Sequence, residues 1–214
     1  MAEKAPGTFQ HSLQVSSLAE QAIMEIGGNA LLVRAGALYH DIGKVDNTLF
    51  FIENQMAGIN PHDELSADES AKLIISHVIK GIEKAKKHNL PEQIIDFIRT
   101  HHGDGMVQYF YRQYVKKFPD KMNETEMFRY PGPKPFSKET AVLMMADSVE
   151  AATRSLAVKN SENVSGMVEK IIQNQMNDGQ FNHASITLKE IDIIKKLFIK
   201  KLLNIHHLRV EYPS

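Results

Sequence analysis

The 214-residue chain has no cysteine. That absence excludes disulfides, thiolate metal sites and a cysteine nucleophile, and it fits a cytoplasmic protein. Charge of either sign is not in excess: the formal net charge is −1. No broad attraction to nucleic acid or to an anionic membrane follows, so any phosphate chemistry must come from a local site. Long apolar runs are missing too, with no window near the ~18 residues that a membrane span needs. The segment Met1-Ala2-Glu3-Lys4-Ala5-Pro6 lacks the apolar core of a signal peptide. Neither an internal repeat nor a low-complexity segment occurs, and no alternating strand pattern lasts long enough to compete with helical spacing.

Helical periodicity predicts an all-α chain. A first helix is expected from about Thr8 to Gly27, and a second from Ala30 to about Ile42 with Gly43 as its C-terminal cap. The stretch from Asp46 to Leu65, with Gly58 and Asn60-Pro61, reads largely as a loop. Ser66 and Glu69 form a capping-box pattern opening a helix to about His88. Pro91 occupies the first position of the next helix, which Gly103 ends. Further helices are expected over Tyr109–Phe118, from a Ser137 cap to about Val158, over Glu162–Met176 and over Thr187–Ile205. The expected organisation is a core over residues 1–159 and a C-terminal helical extension, 160–214, packed on the same domain.

Seven side chains able to bind metal lie in the order His11, His40-Asp41, His77, His101-His102, Asp147. Most of them interrupt apolar stretches such as Ile74-Ile75-Ser76-His77-Val78-Ile79 and Leu143-Met144-Met145-Ala146-Asp147. A buried charge is costly unless paired or metal-bound. Nitrogen and oxygen donors without sulfur suit iron, manganese, zinc or nickel. Seven donors suggest two ions, with the two oxygens of Asp41 shared between them. Adjacent helical side chains diverge by about 100°, so His40 and Asp41 serve one site only at a helix end or in a cleft. Gly36 leaves a gap for a neighbouring helix, and Lys44 projects towards the same cleft, where its charge suits an anionic substrate. A lone buried histidine is more often a hydrogen-bonded core residue; it is the five ordered segments together that favour metal. His62-Asp63, His206-His207, His88 and His183 lack the apolar setting and are read as decoys or solvated groups.

His40-Asp41-Ile42-Gly43-Lys44 resembles the signature of the HD superfamily of metal-dependent phosphohydrolases. Gly7-Thr8-Phe9-Gln10-His11-Ser12, Phe51-Ile52-Glu53-Asn54-Gln55, Asn60-Pro61-His62-Asp63, Phe128-Arg129-Tyr130-Pro131-Gly132-Pro133-Lys134-Pro135 and Ala146-Asp147-Ser148-Val149-Glu150-Ala151 resemble one branch of it. That branch is the cytoplasmic domain of the seven-transmembrane HD proteins, the PgpH type of cyclic di-AMP phosphodiesterase. The likeness spans about Gly7 to Leu156. His101-His102 followed by Gly103-Asp104-Gly105, with no Gly-Tyr-Pro triplet, departs from the HD-GYP cyclic di-GMP enzymes.

The resemblance implies an HD helical bundle with added C-terminal helices. It implies one ion on His11, His40, Asp41 and Asp147 and a second on His77, His101 and His102, with Asp41 bridging. The metals implied are two divalent transition ions, iron or manganese, and the substrate is a cyclic dinucleotide, opened by in-line attack of hydroxide supplied by the metal pair. Asp41 and Lys44 are the expected catalytic residues. Lys44 and Arg154 are expected to contact phosphate, and Tyr130 to stack on a base. The parent protein would be membrane-anchored, with this chain on the cytoplasmic side and making no membrane or nucleic-acid contact itself. Two alternatives stay open: an HD nucleotidase or deoxynucleotide triphosphohydrolase, and a cyclic-dinucleotide sensor without turnover.

Overall fold

The N-terminal half of the molecule opens on α1 (Pro6–Ile26), whose preceding residue, Ala5, has no side chain with which to cap it. The free N–H groups of its first turn are satisfied from a distance. Asn54 Oδ1 accepts from Gly7 N at 3.0 Å and Thr8 N at 3.2 Å, across 47 and 46 residues of chain. The other starts are local. Asn29 accepts from Leu32 N to open α2 (Ala30–Tyr39), and the Ser66–Glu69 box opens α3 (Ala67–Lys87). Ser137 and Thr140 open α6 (Lys138–Arg154) reciprocally, and Asn160 opens α7 (Ser161–Asn177). Thr187 and Glu190 exchange bonds of 2.8 and 3.2 Å ahead of α8 (Leu188–His207). Between them lie α4 (Glu92–Thr100) and α5 (Gln108–Lys117). The computed structural model describes residues 1–55 and 59–207. Among them there is no strand, only an isolated bridge between Met106 and Arg129. No helix among them is long and apolar enough to cross a membrane.

The largest core joins α1, α2, α6, α7 and α8. Leu18 and Ile23 of α1, Leu143 and Met145 of α6, Ile172 of α7 and Phe198 of α8 are all fully buried in it. Each side chain of this size contributes roughly 1.5–3 kcal/mol when removed from water. Two smaller clusters hold the other side: Ala71 with Phe110, Tyr114 and Phe128, and Ala85 with Ile95 and Ile98. The polar centre lies between these layers.

Two local expectations are corrected and a third is refined. Gly43 does not cap α2, which ends at Tyr39; it sits in a 3-10 turn, Ile42–Asp46. Its role is close approach: a Cβ there would lie 1.9 Å from the His77 carbonyl oxygen. Pro91 is the N-cap of α4 rather than its first residue, with extended ψ of 145°. The stretch 46–65 holds three further 3-10 turns, Thr48–Phe50, Ile52–Asn54 and Pro61–Glu64, in which N–H groups bond three residues back. Gly58, read within that loop, lies outside the described residues. Gly36 does admit a neighbour: the ring of Phe97 from α4 packs where its Cβ would be.

Candidate metal centre

The structure brings the seven sequence-predicted side chains together from five helices. His11 comes from α1 and Asp147 from the middle of α6, while His40 and Asp41 follow the last turn of α2. His77 lies on α3, and His101 and His102 follow α4. Both adjacent pairs stand where a helix ends, which is what lets two neighbouring side chains converge. Positive φ at Gly103 (53°) turns the chain away directly after the second pair. His11, His40, Asp41, His77, His101 and Asp147 are all buried; His102 is a quarter exposed.

Two clusters result, one of His11, His40 and Asp147 and the other of His77, His101 and His102, each with donor atoms within 4.8 Å of one another. Asp41 stands between them. Its Oδ2 is 3.2 Å from His40 Nε2 and 3.7 Å from His11 Nε2. Its Oδ1 faces the other way, 3.5 Å from His77 Nε2 and 3.7 Å from His101 Nε2.

The donor set fits cations. His40, His77 and His101 each donate Nδ1–H to the carbonyl three residues back, of Ala37, Ile74 and Ile98, at 2.6–2.8 Å. Each ring is thereby fixed with Nε2 towards the centre; the neutral His77 and His101 present a lone pair there, and a cation would displace the proton that Asp41 and Asp147 hold on His40. The Nε2 atoms of His77 and His101 lie 3.1 Å apart, so two acceptors converge with no proton to share. Asp41 Oδ1 and His40 Nε2 are buried without a hydrogen-bond partner among the protein groups. A divalent cation at each cluster resolves these conflicts.

Electrostatics separate the two clusters. Burial drives the pKa of His77 down to about 4 and lowers His101 and His102 as well, so these rings are neutral and ready to coordinate. Burial opposes charge at His40 too, but Asp41 and Asp147 outweigh it and lift its pKa to about 10. His11 is raised in the same sense by Asp147 and Glu150. The carboxyls of Asp41 and Asp147 are held far below their usual range by the histidines and, for Asp41, Lys44, despite their burial.

Two acidic residues absent from the predicted set complete the centre. Glu150, buried, accepts from His11 Nδ1 and holds Arg154 through bonds of 2.8 and 2.9 Å. Glu53 accepts from Lys44 Nζ at 3.0 Å, while Lys44 lies 2.7 Å from Asp41 Oδ2. These neighbours keep the Lys44 ammonium charged against the penalty of burial. Glu150 carried a signal, since it lies three residues after Asp147 and shares its face; Glu53, in a 3-10 turn, carried none by spacing and stood out only within the resembling segment Phe51-Ile52-Glu53-Asn54-Gln55. Lys44, Arg154, His11 and Asp147 line a cavity of about 390 Å³ above the first cluster, with Ile52 and Ala151. Tyr130 stacks on His102 at 4.2 Å between centroids, so one of its faces is already occupied. Of the decoys, His62 bonds the Phe50 carbonyl at 2.9 Å, and His88 and His183 are exposed. The side chains of His206 and His207 lie outside the described set.

The HD domain family model matches residues 8–152. The cyclic-di-AMP phosphodiesterases PgpH of Bacillus subtilis and Listeria monocytogenes are each 44% identical to the chain over 211 residues, covering 99% of it. The chain spans 29% of the length of these relatives. The crystal structure of the L. monocytogenes PgpH HD domain superposes with a TM-score of 0.91 at 42% identity, covering 96% of both chains. The same domain in complex with cyclic-di-AMP gives a TM-score of 0.92 at 43% identity, covering 95% of this chain and 94% of that one.

Proposed function

Because the chain belongs to the HD-domain family, on the branch of the PgpH HD domain, we propose that it is a phosphodiesterase opening cyclic di-AMP to the linear dinucleotide at a two-cation centre. The observation that carries this reading is Asp41, whose two oxygens face two different histidine clusters. His11, His40 and Asp147 would hold one divalent ion and His77, His101 and His102 the other, with Asp41 between the two groups serving both. Iron or manganese suits this set of imidazoles and carboxylates. When bound, the ions supply Lewis acidity at phosphoryl oxygens and make water acidic enough to act as a nucleophile near neutral pH. In the reaction the bond from water oxygen to phosphorus forms as the bond to one ribose oxygen breaks, and that oxygen takes up a proton.

The chain's own groups do the positioning. Lys44, held by Asp41 and Glu53, places a permanent positive charge at the cavity where a phosphate sits. Arg154, braced by Glu150, presents its guanidinium at the same cavity, placed for the far phosphate of a dinucleotide. Tyr130, stacked on His102, lines the neighbouring cavity against His101 and His102. The same reading puts the chain on the cytoplasmic side of a membrane-anchored parent.

Elemental analysis of the purified protein is expected to give two transition-metal ions per chain, with cyclic di-AMP cleaved in preference to cyclic di-GMP. One ion or none, with both dinucleotides intact after reconstitution with manganese or iron, would overturn the reading. Glu150→Gln should weaken cation affinity at the His11 position by about 10–100-fold, because an amide no longer anchors the imidazole as a carboxylate does. Competition with a fluorescent chelator measures this, and an affinity equal to wild type would remove Glu150 from the centre.

A further inference from the structure

Two stretches singled out in the sequence meet beside the centre: Gly7-Thr8 in the first turn of α1 and Glu53-Asn54 in the turn Ile52–Asn54. The approach is close. A Cβ on Gly7 would lie 1.8 Å from the Glu53 carbonyl oxygen. Ile52 and Glu53 also wall the cavity that holds Lys44 and Arg154, so this turn forms one side of the candidate substrate cavity. The side chain that joins it to α1 is Thr8, which is fully buried. A threonine hydroxyl near a helix start ordinarily bonds to backbone within a few residues. That of Thr8 instead reaches across 45 residues of sequence.

The direction of each bond there is determined. Asn54 Oδ1 accepts from Gly7 N and Thr8 N, so its amide nitrogen is the atom that faces Thr8 Oγ1, to which it donates at 2.7 Å. Glu53, ion-paired to Lys44, only accepts, so the Thr8 hydrogen goes to Glu53 Oε1 at 3.0 Å. The same Oε1 accepts from Lys44 Nζ at 3.0 Å. One oxygen therefore takes both the hydroxyl and the ammonium, and Thr8 decides where that oxygen sits. The other partners of Lys44 are Asp41 Oδ2 at 2.7 Å and the Phe51 ring, 4.9 Å from Nζ to its centroid. Asp41 is the group that the two cations would share, and a ring face does not fix the direction of an N–H. Glu53 is left to orient the ammonium.

We infer that Thr8 is a positioning residue for the phosphate contact: it fixes Glu53, and through Glu53 the point at which Lys44 presents its charge. This inference rests on the proposed cyclic di-AMP hydrolysis and deepens it, adding a residue that touches neither cation nor substrate. Without the hydroxyl, Asn54 Nδ2 and Glu53 Oε1 each lose a partner, and the turn and the ammonium shift together. The bonds from Gly7 N and Thr8 N to Asn54 Oδ1 do not involve the hydroxyl, so the first turn of α1, and His11 beyond it, keep their place. The effect is therefore specific to Lys44 and spares the cation donors.

Thr8→Val, which puts a methyl group in place of the hydroxyl, tests this in two backgrounds, wild type and Lys44→Met. In the first, kcat/KM for cyclic di-AMP should fall about ten-fold, less than the ~10²-fold of a full 1 Å displacement. In the second it should fall by less than about two-fold, because no ammonium remains to be placed. Thr8→Ser keeps the hydroxyl and should stay within about two-fold of wild type. Metal content of Thr8→Val should equal that of wild type. An equal fall in both backgrounds, no fall in either, a serine variant as impaired as valine, or an ion lost from Thr8→Val would overturn the inference. Should Thr8→Val not fold, Thr8→Ala removes the same hydroxyl without setting a methyl against Asn54 and Glu53, and the same cycle decides. Wild-type protein that binds cyclic di-AMP and leaves it intact would defeat the hydrolase reading instead. Calorimetric binding then carries the cycle, as it does if Lys44→Met turns over too slowly to measure. Binding weakened about ten-fold by Thr8→Val only where Lys44 is present supports the inference, and equal weakening, none, or no binding by wild type overturns it.

Discussion

Asp41→Ala is expected to empty both metal positions and to lower turnover of cyclic di-AMP about a thousand-fold or more. The size follows from the several kcal/mol of transition-state stabilisation that a cation centre supplies, at 1.36 kcal/mol per factor of about ten. Asp41 faces both clusters with separate oxygens, Oδ2 lying 3.2 Å from His40 Nε2 and Oδ1 3.5 Å from His77 Nε2, whereas Asp147, beside His11 and His40, comes only within 3.9 Å of His102 in the other cluster. The substitution acts twice, because Lys44 also loses its 2.7 Å partner and is left buried against Glu53 alone. Metal content and turnover measured on the same preparation separate the outcomes. Retention of two ions per chain with full activity would show that Asp41 does not bridge.

Gly43→Ala is expected to cost about 3 kcal/mol of stability, at the upper end for overpacking because backbone must move on both sides. A Cβ at this position would lie 1.9 Å from the His77 carbonyl oxygen and 2.6 Å from Gly81 N. Neither atom is the end of a flexible side chain. Gly81 is itself confined, since a Cβ there would meet Ile98 at 2.8 Å. The turn 42–46 and α3 must therefore separate, and that motion carries His77 away from Asp41. For a chain of this size the loss corresponds to a Tm about 6–12 °C lower. Activity should fall below wild type even at temperatures where the variant is folded, since a displacement near 1 Å costs about 10²-fold in positioned catalysis. A melting temperature within about 2 °C of wild type, with normal activity, would show that the contact relaxes freely.

What could be read from the sequence was local. The capping boxes at Ser66–Glu69 and Thr187–Glu190 need only four consecutive residues, and both helices begin there. The seven candidate donors were legible because most of them are polar interruptions of an apolar stretch, a contrast visible without knowing the fold. Features that depend on distant chain were not. The cap of α1 comes from Asn54, which no pattern near Ala5 announces. Gly43 was read as a helix cap because a glycine after a helix serves either conformation or close approach, and only the path of α3 decides which. Arg154 was expected on the face of Asp147, and its bonds to Glu150 add the anchor that spacing alone left out.

The distribution of the donors along the chain has a consequence for chain entropy. His11 and Asp147 meet at 2.9 Å across 136 residues of sequence. An ion held jointly by them would act as a cross-link closing that loop in any state that keeps both ligands. Loop-closure entropy grows only with the logarithm of length, but for a loop of this size it reaches about 4–5 kcal/mol. A chain without a single cysteine would thus gain from its centre the kind of long-range tether that a disulfide gives elsewhere, one that a chelator rather than a reductant would undo.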